Sequence, residues 1–176
     1  LSYMVMTSLY TVYLKHLVIL DVLTVAAGFV LRPVAGAVVI DAAISPWLLV
    51  CTTLLALFVI LSKRKHELVT LTDASKHRKT LAEYSPELLD QMISIVTSST
   101  LIAYCLYTFS SSTGSNHPYM MFTIPFVLYG IFRYLYLLHK KNLGGAPELI
   151  FLKDIPMIID ISLWVISSAA IITFLK

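Results

Sequence analysis

Apolar residues in this chain gather in runs of about 18 to 25, and that run length limits the fold more than any other feature. At about 1.5 Å of rise per residue, one such run coiled as a helix crosses a hydrocarbon core of about 30 Å. Lipid offers no partner to peptide N–H and C=O groups, so a run that enters it must satisfy them within its own helix. The expected fold is therefore all-α, a polytopic bundle of transmembrane helices. Composition points the same way: apolar residues make up 58% of the chain and charged ones 13%, about half the charge of an ordinary soluble domain.

Six helices are expected, over about 1–16, 17–40, 46–62, 86–109, 118–139 and 155–174, in a single bundle covering 1–176. Pro46, Pro86 and Pro118 each open a run, where a missing N–H costs nothing. A polar loop fills 63–85, and a second polar loop holds Gly144, Gly145 and Pro147. Gly114 and its serine neighbours read as a flexible connector. The first run opens mid-pattern at Leu1 without a starting Met, so upstream sequence is expected to precede it. It also lacks the charged leader and cleavage site of a secretory signal.

The loops after the first, third and fifth helices hold Lys15, Lys63, Arg64, Lys65, Lys76, Arg78, Lys79, Lys140, Lys141 and Lys153. The two intervening loops hold no Lys or Arg. The positive-inside rule then puts the three basic loops in the cytoplasm, with the protein in the cell (inner) membrane. Cys51 and Cys105 lie within apolar runs and read as small buried hydrophobes rather than as a disulfide or metal site.

Charges inside helices need a reason. Arg at mid-membrane costs about 2.5–3.5 kcal/mol, so Arg32 is expected to face the bundle interior. Asp21 is three helical turns earlier on the same face, with Gly28 and Gly36 beside it for close packing. Two readings stand side by side: a structural charge pair, or a polar cavity for an anionic substrate. Arg133 among Tyr129, Tyr134 and Tyr136 suits a snorkelling interfacial cation. Asp160 suits a partner for a buried cation, and Asp90 the dipole of a helix start. The KRKHEL stretch and the basic residues after it suit phosphate groups, although membrane flanking alone also explains their charge. Lys15 with Tyr10 and Tyr13 would equally serve as an interfacial anchor. No nucleophile elbow, Walker loop, CxxC, HExxH or Rossmann fingerprint is present.

YTVYLKHLVILDVLTVAAGFVLRPVAGA, from Tyr10, resembles the fourth and fifth helices of the UbiA superfamily of membrane prenyltransferases, and within it the decaprenyl-phosphate phosphoribosyltransferase subgroup. The likeness includes Tyr10, Lys15, Asp21 and the Gly28 to Gly36 segment. It continues through KRKHEL, His77-Arg78 and LAEYS, then IPFVLYGIFRYLYL and GGAPELIFLKD. The resemblance implies a UbiA-like fold of nine helices, of which these six would be the last. It also implies a cytoplasmic cavity that holds magnesium and a diphosphate. The family's first Asp-rich motif is absent, which leaves no metal ligands to name. Its second is replaced by Lys63, Arg64 and Glu67, an exchange that fits the phosphoribosyl subgroup.

The expected activity is transfer of 5-phosphoribose from phosphoribosyl pyrophosphate to a polyprenyl (decaprenyl) phosphate, a step of cell-wall biosynthesis, with no nucleic acid involved. Lys63, Arg64 and Glu67 are the expected catalytic residues, and Tyr10, Lys15, Asp21, Arg32, Arg78 and Tyr84 the expected substrate contacts. Without the first motif the chain alone is expected to be inactive. One rival is an aromatic prenyltransferase with a prenyl diphosphate donor. Another is a non-catalytic transporter or assembly subunit, for which Pro33 and Pro125 offer only slight support.

Overall fold

The computed structural model describes residues 8, 10–41, 45–70, 79–110, 115–141 and 151–174. Among them every regular element is helical and none is a strand. Five long helices follow one another: α1 Leu20–Val39, α2 Pro46–Thr70, α3 Pro86–Ser110, α4 Ile124–Lys141 and α5 Ile155–Phe174. Short 3-10 turns stand at Leu14–His16, Lys79–Glu83 and Pro118–Thr123. Of the expected first helix, Tyr10 to Val12 are helical and lead into the turn at Leu14. Most of its remainder lies outside the described residues.

Among the described residues, four stretches are long and apolar enough to cross a membrane: Leu20–Val39, Pro86–Ser110, Pro118–Lys140 and Ile155–Phe174. Their outward side chains agree with that length. Val38, Ile95, Ile102, Phe132 and Ile166 are exposed, an arrangement that lipid favours and water does not. The chain is thus an all-α protein of the transmembrane type.

The helix starts follow local chemistry. Ser85 Oγ accepts the Leu88 N–H at 3.1 Å just before Pro86, and Asp154 Oδ1 accepts the Met157 N–H at 3.1 Å just before Ile155. Both are side-chain N-caps. The end of α2 departs from expectation. The apolar run stops near Ser62, yet the helix continues to Thr70. Lys63, Arg64, Lys65 and Glu67 are therefore helical and not part of a loop. Lys, Arg and Glu are good helix formers, so leaving the apolar run does not end the helix.

Two compact units result, Leu1–Val96 and Thr97–Lys176, with α3 passing from one into the other. In the first, α1 packs on α2, and Val22, Ala26, Phe58, Leu61, Leu81 and Leu89 are buried. In the second, α4 packs on α5, and Tyr134, Leu137, Met157 and Ile171 are buried. Gly130 belongs to that second contact, since a Cβ there would lie 2.9 Å from Asp160 Oδ2. Gly36 shows no such close contact: among the described residues nothing stands within 4 Å of where its Cβ would be.

Candidate functional site

The expected site residues that the structure brings together lie in the first unit. Asp21, in the first turn of α1, is 1% exposed. Its Oδ1 accepts a hydrogen bond from the Tyr84 hydroxyl at 3.0 Å, across 63 positions of sequence. Tyr84 is 4% exposed, and its oxygen also accepts the Ile19 N–H at 2.8 Å. Burial pushes the Tyr84 phenol up from its ordinary 10.0 to about 12, with the Asp21 charge adding to the rise. The Ile19 N–H and the positive charge of Arg64 oppose it, which brings Arg64 within electrostatic reach of the same hydroxyl.

Arg64, near the end of α2, is 8% exposed. Its Nη1 bonds to Glu67 one turn on. Its Nε is buried and has no hydrogen-bond partner among the described residues. A buried guanidinium donor left open is uncommon, because the missing bond costs about 1–3 kcal/mol. Lys63 is exposed beside it. Lys65 points elsewhere and pairs with Asp90 of α3 at 2.6 Å. Asp90 thus has an ion-pair partner in addition to its place near a helix start.

Lys15 and Tyr10 are half-buried. Lys15 sits in the 3-10 turn Leu14–His16, and its carbonyl faces Thr80 Oγ1 at 3.5 Å, the outer limit of a hydrogen bond. Arg78 and His77 lie outside the described residues.

Arg32 does not point into a covered interior. It is exposed on α1, with its guanidinium 5.2 Å from the centre of the Phe29 ring. The expectation weighed only the cost of a bare charge in lipid. An aromatic face one turn away offsets part of that cost.

The second unit holds polar groups of another kind. Arg133 is not a simple snorkelling cation, because it forks onto Asp154 with Nε–Oδ1 at 2.9 Å and Nη2–Oδ2 at 2.8 Å. Trp164 Nε1 donates to the Tyr104 hydroxyl at 2.8 Å. That hydroxyl lies 2.7 Å from Thr123 Oγ1. Thr123 gives its own proton to the Met120 carbonyl, so Tyr104 is the donor in this contact. Asp160 is buried, and no hydrogen bond or ion pair reaches it among the described residues. Among the described residues no cation stands beside it.

Sequence reasoning missed Ile19, Thr80 and the Lys65–Asp90 pair. Asp154 was missed too, although an Asp directly before an apolar helix start is a cap signal. The other three depend on how distant segments meet, and no local pattern announces them.

Comparison with known proteins adds a direction. No family model matches the chain. It is 31% identical over 144 residues to the decaprenyl-phosphate phosphoribosyltransferase of Corynebacterium glutamicum, covering 80% of this chain and 43% of that protein. It is 30% identical over 171 residues to the protein of the same name in Mycolicibacterium smegmatis, covering 92% of this chain and 53% of the relative. The Mycobacterium tuberculosis protein so named is 26% identical over 173 residues, covering 98% and 57%. The chain spans about half the length of the curated relatives it matches.

Proposed function

We propose that this chain forms the phosphate-handling part of a membrane transferase that moves 5-phosphoribose from phosphoribosyl pyrophosphate to a polyprenyl phosphate. An oxygen of the lipid phosphate attacks C1 of the ribose. The bond from C1 to the pyrophosphate oxygen breaks, and its electron pair leaves with pyrophosphate. Positive charge builds on the sugar and negative charge on the leaving group, so fixed cations and donors lower the barrier.

The observation that carries this reading is Arg64: a buried guanidinium, held on one side by Glu67 and open at Nε. A phosphate oxygen is the acceptor that such a donor fits best. Lys63 would add charge from solvent, and Lys15 from the turn at Leu14. Glu67 orients Arg64. Arg32 would meet an anionic group on the exposed side of α1, and Tyr10 the donor or acceptor phosphate. Arg78 keeps its proposed phosphate contact on the strength of the motif alone. The names of the relatives support the choice of donor and acceptor. The acceptor tail would lie along the apolar helix faces, with the basic groups at the cytoplasmic surface.

Magnesium, implied by the family resemblance, finds no ligand set among the described residues. No group of three His, Cys, Asp or Glu able to hold a metal occurs among the described residues. No step of the proposal passes through it.

The test is a donor comparison on the complete gene product in membranes. Labelled phosphoribosyl pyrophosphate should yield a labelled lipid phosphate, and labelled prenyl diphosphate with an aromatic acceptor should not. The reverse result would establish the aromatic prenyltransferase, and transfer from neither would remove the enzyme reading.

A further inference from the structure

Helix α1 starts without the device that α3 and α5 use. Its N-cap, Ile19, provides no side-chain cap and stands at φ 70° and ψ −46°. This is the rare, strained region of the γ-turn. For a β-branched residue it costs on the order of 1–3 kcal/mol and persists only where the surroundings impose it. In a capping box, a carboxylate at the third helical position would take the N-cap N–H. That position in α1 is Val22, which has no acceptor.

The acceptor comes instead from Tyr84, 65 positions away. One hydroxyl takes the Ile19 N–H and gives its proton to Asp21, two residues further along. Both its donor and an acceptor lone pair are thereby spent on the turn. Its burial leaves little room for the substrate contact first expected of it. Thr80, in the same 3-10 segment that leads to Tyr84, faces the carbonyl of Lys15. The two segments thus meet on both sides of the strained residue.

We propose that Tyr84 is a positioning residue: its hydroxyl holds the Ile19 turn in its strained form and so fixes where Lys15 stands relative to Arg64 for a shared phosphate group. This rests on the phosphate-binding reading for its purpose, though the clamp itself is a matter of structure. Without the hydroxyl the turn relaxes, and Lys15 leaves the position in which it and Arg64 act on one ligand.

The experiment compares Tyr84→Phe, Lys15→Ala and the double variant in the complete gene product, with two readouts. The first is amide exchange followed by mass spectrometry. Tyr84→Phe should speed exchange in peptides covering 17–23 by roughly 10-fold or more, since a specific buried bond is opened. Peptides covering 124–138 should not change. The second is KM for phosphoribosyl pyrophosphate. Tyr84→Phe should raise it about 10-fold in the wild-type background and less than about 2-fold in the Lys15→Ala background, the non-additivity of residues that act through one another. A merely destabilised protein would lose active molecules and keep its KM. Unchanged exchange at 17–23 overturns the clamp, and equal KM effects in both backgrounds overturn its link to Lys15. If the wild-type protein transfers no phosphoribose, the proposed reaction fails while exchange still decides the clamp.

Discussion

Both units join polar groups across long stretches of sequence, but they leave different groups unspent: the first a buried guanidinium donor on Arg64, the second the buried carboxylate of Asp160. In Thr97–Lys176, Tyr104 passes its proton to Thr123 and receives one from Trp164, and Arg133 is matched on both sides by Asp154. In Leu1–Val96, Tyr84 serves a backbone turn 65 positions away, and Arg64 keeps a buried donor open. Polar groups that satisfy one another hold a membrane fold together. Polar groups that leave a directional donor unspent are the ones able to take a ligand.

The largest effect that tests this contrast is on turnover. Arg64→Ala should lower phosphoribosyl transfer by roughly 100-fold, the usual cost of losing one preorganised donor to developing charge. Arg64→Lys, which keeps the charge and loses the planar fork, should fall between it and wild type. Asp154→Ala in the second unit should do the opposite. It should lower the thermal midpoint, with a cap worth about 1 kcal/mol lost, and leave the donor KM as it was. Asp154→Asn should restore the cap and part of that stability. A changed KM in the Asp154 variants would erase the distinction between the units.

A smaller effect separates the two glycines. Gly130→Ala places a Cβ 2.9 Å from Asp160 Oδ2 and should cost about 1–3 kcal/mol in a denaturation series. Gly36→Ala meets nothing within 4 Å and should gain up to about 1 kcal/mol from helix propensity. Equal effects at the two positions would mean that the α4–α5 contact is no tighter there than the open side of α1.

The smallest effect is a titration. The folded-state value of Tyr84 is raised from 10.0 to about 12. Its protonated form therefore stabilises the fold fully below about pH 10, and that share is lost as pH climbs through about 12. Tyrosinate absorbance should show one late-titrating phenol fewer in Tyr84→Phe than in the wild-type protein.

Much of this was legible beforehand, for stated reasons. Run length gave the helices, and Pro86 and Pro46 gave their starts to the residue. The end of α2 was misplaced because hydropathy reports where lipid stops being favoured, while helix propensity decides where the helix stops. Arg32 stands exposed on α1 beside the Phe29 ring, a neighbour that insertion cost alone does not foresee. Ile19 had no signal at all, since Ile is among the residues least suited to a positive φ. Only the meeting with Tyr84 explains it.

The overrun of α2 has one more consequence. A basic loop must be ordered by the anion it binds, at roughly 1–2 kcal/mol of backbone entropy per residue fixed. Lys63, Arg64 and Glu67 instead stand on a helix that is already formed. Each projects at its own angle around the axis, so the helix surface sorts them by direction: Lys63 to solvent, Lys65 to Asp90, Arg64 inward. A phosphate bound there as proposed would meet groups whose backbone freedom was spent during folding, and little of its binding energy would be drawn off to arrange them.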